Sequence, residues 1–211
     1  MFKTTIRKVT RIHLLAALVA ACSPSAPQLT PIEIAATQIP PALSEDACAA
    51  PVPTIEAIPG FPARPAQLLG GGVVKSSDFI FDMWLYCDTS LSPSGEGAAY
   101  SEIAGLGIHL VWRYNGPEIQ GATDYSFGLG QLAISGGGDS GPLTPGSIAY
   151  YSGGIHSQEG ALGKAIQSGD LVTITTQVTS GSLQESASFS FAFQPGTSGL
   201  KLAVTNLEPG E

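Results

Sequence analysis

Phe79-Ile80-Phe81-Asp82-Met83-Trp84-Leu85-Tyr86-Cys87 is the stretch whose reading decides the fold. In an extended chain, successive side chains point to opposite sides. Phe79, Phe81, Met83, Leu85 and Cys87 then share one face, and Asp82, Trp84 and Tyr86 share the other. One face is apolar enough to build a core. The other mixes a carboxylate with two large amphipathic rings.

The same period recurs downstream. Ile108, Leu110, Trp112 and Tyr114 line one side of a run that stops at the turn signal Asn115-Gly116-Pro117. Tyr125, Phe127 and Leu129 alternate in a third run, continuing towards Leu132 and Ile134 with glycines that suggest a bend. Ile148 to Tyr151 is a weaker strand candidate. Val172, Ile174 and Val178 face one way, and Phe189, Phe191 and Phe193 face one way against intervening serines. Leu200 to Val204 ends the set. Short strands with Gly-rich connections predict an all-β domain over 67–211, an antiparallel β-sandwich or jelly roll of about seven or eight strands. Clean alternation fits antiparallel sheets with one wet face rather than a parallel sheet with helices on both sides.

Upstream of that domain the composition changes. Residues 22–66 form a Pro/Ala-rich tether, and ten of the sixteen prolines fall between Ser23 and Ala66. Proline fixes φ and removes a donor, so the tether is expected to be disordered or polyproline-like, without helix or central strand. Further upstream, Lys3, Arg7, Lys8 and Arg11 precede a short apolar run from Ile12 to Ala21. A basic segment followed by a run half the length of a membrane span reads as a secretory signal over 1–21.

That run ends Val19-Ala20-Ala21-Cys22, which resembles the lipobox of bacterial lipoproteins. The resemblance implies diacylglyceryl transfer to the Cys22 thiol, cleavage before it, and export to an anchored position. The anchor would lie on the cell membrane or the outer membrane, facing the periplasm or exterior. Ser23 after the cysteine resembles the outer-membrane-sorted class. Several acyl chains hold where one would not, since each buried CH₂ contributes about 0.8 kcal/mol.

Loss of the signal would remove four of nine basic residues and leave five against seventeen acids, a formal charge of −12. A scattered acidic surface excludes nucleic acid as a partner, because phosphate binding needs clustered Lys and Arg. With Cys22 acylated, Cys48 and Cys87 remain. In an exported chain they are expected to form one disulfide, stapling the distal tether to the end of a strand.

Chemistry-bearing motifs are sparse. Gly138-Asp139-Ser140-Gly141-Pro142 resembles the nucleophile segment of chymotrypsin-like serine proteases with one glycine missing. Only His109 precedes it in the mature chain, without that family's histidine context, so the segment is read as a loop and no catalytic residue is assigned. No Cys or His pair has zinc spacing, and His109 is expected to be a strand residue with a local hydrogen bond. No cofactor is expected. Calcium would suit Asp82, Asp88, Asp139 or Asp170, but none lies in a recognisable calcium loop. Glu96, Glu102 and Glu118 give no reason to pick a catalytic carboxylate pair.

The candidate binding residues are aromatic. If the Asp82/Trp84/Tyr86 face is wet, it offers a flat platform with flanking acceptors for a sugar ring or an apolar partner patch. The alternative is that both faces of that strand are buried. Tyr150 and Tyr151, beside Gly153-Gly154, are candidate loop contacts. Trp112 reads as core, reminiscent of the buried tryptophan of immunoglobulin-like strands. The function expected from these features is a non-enzymatic, surface-tethered module that binds a carbohydrate, a protein or an envelope component. A structural subunit of an envelope complex is the alternative class, and a secreted hydrolase the third.

Overall fold

The computed structural model describes residues 42, 44–49, 54–129, 132–196 and 199–209. The expected signal peptide, Cys22 and the proximal tether lie outside the described residues. Nine described strands form two antiparallel sheets. Strands β1 (Leu68–Lys75), β2 (Phe79–Cys87), β3 (Leu106–Tyr114) and β6 (Ile148–Gly154) make a four-stranded sheet in the order β1-β2-β3-β6. Strands β4 (Thr123–Leu129), β5 (Leu132–Ser140), β7 (Val172–Ser180), β8 (Leu183–Gly196) and β9 (Gly199–Pro209) make the second, in the order β5-β4-β7-β8-β9. The architecture is a β-sandwich.

The core lies between the sheets because the alternating apolar sets of β2, β3, β7 and β8 point inward. Phe79, Phe81, Met83 and Leu85 from β2 and Leu110, Trp112 and Tyr114 from β3 meet Ile174, Val178, Phe189, Phe191 and Phe193 from the other sheet. In the register of β2 and β3, Phe81 pairs with Trp112 and Trp84 with His109. Phe79 stacks on Phe81 and presents its edge to Trp112, with centroids 5.4 and 5.8 Å apart. Such pairs add to what area burial alone contributes. Along β7 the burial alternates strictly from Val172 to Ser180.

Two strands go beyond the seven runs marked in the sequence. The Leu68–Lys75 run, broken by three glycines, pairs with β2 despite its weak side-chain pattern. The single bent strand expected from Tyr125 to Ile134 is instead a hairpin, β4 against β5. Gly138-Asp139-Ser140, expected in a loop, ends β5. Gly138 lies under the Tyr125 ring, where a Cβ would sit 2.9 Å from the hydroxyl, so glycine composition here serves close cross-strand packing.

The distal part of the expected tether carries one short helix. Between Pro41 and Pro51 lies a proline-free gap, and it forms a short helix, α1 (Glu45–Ala49). Ser44 is buried, and its hydroxyl accepts the Ala47 N–H at 3.2 Å. Five helical residues are too few to persist alone, so tertiary attachment must hold them. The attachment is the Cys48–Cys87 disulfide, with Cα atoms 5.6 Å apart. A cross-link spanning 39 residues stabilises by about 3–4 kcal/mol on chain-entropy arithmetic. A second helix, α2 (Ala161–Ser168), buries Leu162 and Ile166 and ends at Gly169 in the left-handed conformation.

Candidate functional site

Asp82, Trp84 and Tyr86 do project together from β2, away from the core. They do not form an exposed platform. Their exposures are 1%, 7% and 5%. Asp82 and Trp84 are covered by a strap of residues 55–65 against the outer face of the four-stranded sheet, and Tyr86 packs in a cluster with Leu68, Trp84 and Leu91. Arg64 in the strap donates from Nε to Asp82 Oδ2 at 2.8 Å and from Nη2 to Oδ1 at 3.0 Å. Its Nη1 donates to the Glu56 carbonyl at 2.8 Å. The Arg64 guanidinium lies 5.6 Å from the centre of the Trp84 ring, whose N–H donates to Asp82 Oδ1. A carboxylate this buried persists because it is paired and hydrogen-bonded on both oxygens.

The strap is fixed at a second point. The Arg113 guanidinium donates to the Pro59 carbonyl and sits 5.1 Å from the Phe61 ring centre. Under the strap a cleft of about 420 Å³ is bordered by Ile55, Ile58, Phe61, Arg64, Leu68 and Asp82. Arg64 is the residue that sequence reasoning missed. The available signal was its isolation, as the one basic residue between Arg11 and Lys75, within a run of prolines.

His109 sits across from Trp84 and is 1% exposed. Neither ring nitrogen has a hydrogen-bond partner among the described residues. The local hydrogen bond expected for it is absent, and Asp82 Oδ2 stands 4.0 Å from Nε2, beyond hydrogen-bond range. Burial pushes the His109 pKa down, Asp82 opposes that shift, and Arg64 adds to it. Tyr86 lies flat across Gly107, its cross-strand partner, where any Cβ would strike the ring. Burial raises the Tyr86 pKa, partly offset by its hydrogen bond with Ser152, and Asp88 raises it further.

Several other polar groups serve the fold. Ser140 belongs to the five-stranded sheet and His109 to the outer face of the other. Glu102 accepts the Ser157 N–H at 3.0 Å and the Gly163 N–H at 2.6 Å, tying down the start of α2. Asp88 accepts from the Ser90 N–H and hydroxyl at 2.9 and 2.6 Å, a local turn. No group of three or more His, Cys, Asp or Glu side chains converges among the described residues.

Tyr150 and Tyr151 are strand residues of β6 rather than loop contacts, so alternation sends them to opposite faces. Tyr151 is half-buried, packs against the core, and its hydroxyl donates to the Gly154 carbonyl at 2.7 Å. Tyr150 is 63% exposed and Ile148 is 40% exposed. Tyr150 borders a cleft of about 370 Å³, together with Trp112, Tyr125, Pro142, Ser147 and Ile148. Among the described residues, none of its lining side chains is charged. Trp112 is core, as expected, but its buried indole N–H has no acceptor among the described residues. A buried donor without a partner is costly, about 1–3 kcal/mol.

No family model, no curated protein and no solved structure matches this chain.

Proposed function

We propose that this protein is a lipid-anchored, non-enzymatic binding module of the cell envelope, held through Cys22 and contacting its ligand at the Tyr150 cleft. The observation that carries the ligand-binding part is the exposed Tyr150 at the border of an open cleft whose lining side chains, among the described residues, carry no charge. Small-ligand sites combine such apolar and aromatic walls with a few polar groups, and this volume falls at the low end of their range of about 300–1,000 Å³. The anchor rests on the lipobox resemblance of Val19-Ala20-Ala21-Cys22. Two buried carboxylates serve the fold, Glu102 at the start of α2 and Asp82 with Arg64 and Trp84. The exposed large apolar side chains of the described residues are Ile148, Tyr150 and Leu171. That small set suits a ligand contact better than a broad subunit interface.

One experiment tests both parts. The Cys22→Ser variant is expected to leave the membrane fraction, and Tyr150→Ala to stay there while losing capture of envelope material. Unchanged fractionation of Cys22→Ser would remove the anchor. Unchanged capture by Tyr150→Ala would remove the cleft.

A further inference from the structure

The geometry points to a partner class for this surface: an extended peptide segment with basic flanks, adding as a strand to the outer edge of β6. This inference rests on the binding-module reading and names what the module would take. β6 ends its sheet, and among the described residues it pairs with β3 alone. Tyr114 donates its N–H to the Ser147 carbonyl at 2.9 Å, which fixes the phase of the ladder. Opposed residues in an antiparallel pair alternate between bonding each other and facing away. Ala149, opposite Trp112, and Tyr151, opposite Leu110, therefore aim their backbone groups at β3. Ile148, Tyr150 and Ser152 turn their N–H and C=O outwards, and all three residues are exposed.

This edge carries none of the devices that deter strand addition. Ile148-Ala149-Tyr150-Tyr151-Ser152 holds no charge and no proline. The open length ends at Ser152, because the Tyr151 hydroxyl occupies the Gly154 carbonyl at 2.7 Å and the 98–101 segment lies against Gly153 and Gly154. An added strand makes main-chain hydrogen bonds to the outward groups, while its alternate side chains need apolar neighbours. Exposed Ile148 and Tyr150, and the uncharged cleft of about 370 Å³ beside them, supply these. The formal charge of −12 on a mature chain attracts basic flanks and opposes a second copy of the chain as the added strand.

The mature protein in detergent is titrated calorimetrically with three decapeptides. One alternates Val and Thr between Lys-Lys flanks, the second carries Glu-Glu flanks instead, and the third is the Lys-flanked peptide N-methylated at its central amides. The Lys-flanked peptide is expected to bind, the Glu-flanked one about tenfold more weakly, and the methylated one not at all. Tyr150→Pro removes an outward N–H without touching the β3 ladder, and edge strands accept proline. It should weaken binding about tenfold or more. Tyr150→Ala keeps that N–H and loses the ring, so its affinity should fall between those of the unaltered protein and Tyr150→Pro. The methylated probe keeps the inference falsifiable even if Tyr150→Pro fails to fold. Undiminished binding of the methylated peptide, or equal losses in the two variants, would overturn strand addition. Equal binding of the Glu-flanked peptide would overturn the basic partner. A dimer that Tyr150→Pro dissolves, without peptide binding, would give the edge to a second copy and overturn the partner assignment. No binding of any peptide would overturn this inference, and capture of envelope material would then decide the binding-module reading separately.

Discussion

The outer faces of the two sheets began with the same kind of pattern and ended in different states. On β7 the outward positions are Thr173, Thr175, Gln177 and Thr179, paired with Ser190, Ser188, Ser186 and Gln184 of β8. These side chains are neutral and can satisfy one another sideways, as Thr173 and Ser190 do with hydroxyls 2.7 Å apart. On β2 the outward positions are Asp82, Trp84 and Tyr86, which join a carboxylate to two large rings. Such a face needs a cover that supplies both apolar area and a cation. The strap delivers Ile55 and Phe61 for the first and Arg64 for the second. Alternation therefore says which residues share a face. Whether that face is wet depends on what the chain later lays over it.

The largest test of this contrast is Arg64→Ala. It leaves Asp82 buried and half-paired, and is expected to destabilise the domain by about 3–5 kcal/mol. Thr175→Val on the open face should change stability by no more than about 0.5 kcal/mol. Comparable losses in urea melts of the two variants would abolish the distinction between the faces.

A smaller effect should appear with pH. The folded pKa of His109 lies below its unfolded value, so the unfolded chain takes up the proton more readily. This contribution is intact above the unfolded value of about 6.5 and is lost as the pH falls below it. Stability should drop between pH 7 and pH 5, and His109→Leu should flatten that drop. An unchanged slope in the variant would assign the pH dependence to other groups.

Several features were legible because they depend on neighbours two residues apart. The inward sets of β2, β3, β7 and β8 are of this kind, and so is the core position of Trp112. The Cys48–Cys87 bridge was legible by elimination, since reading Cys22 as a lipidation site leaves only those two thiols. The β5 strand was not, because Gly136 to Gly138 carry turn composition, and only the Tyr125 ring explains a glycine at 138. Nor was the split fate of Tyr150 and Tyr151, which follows from β6 being a strand rather than a loop.

Read alone, the chain determines an antiparallel sandwich, its inward residues and its disulfide, since backbone alternation and covalent chemistry are local. The covering of Asp82 and Trp84 by Arg64, and the bordering of one cleft by Tyr125 and Tyr150, are tertiary outcomes. Each joins residues from different strands or from the strap. Their exposure is set by which segments pack over them, and no period in the sequence encodes that.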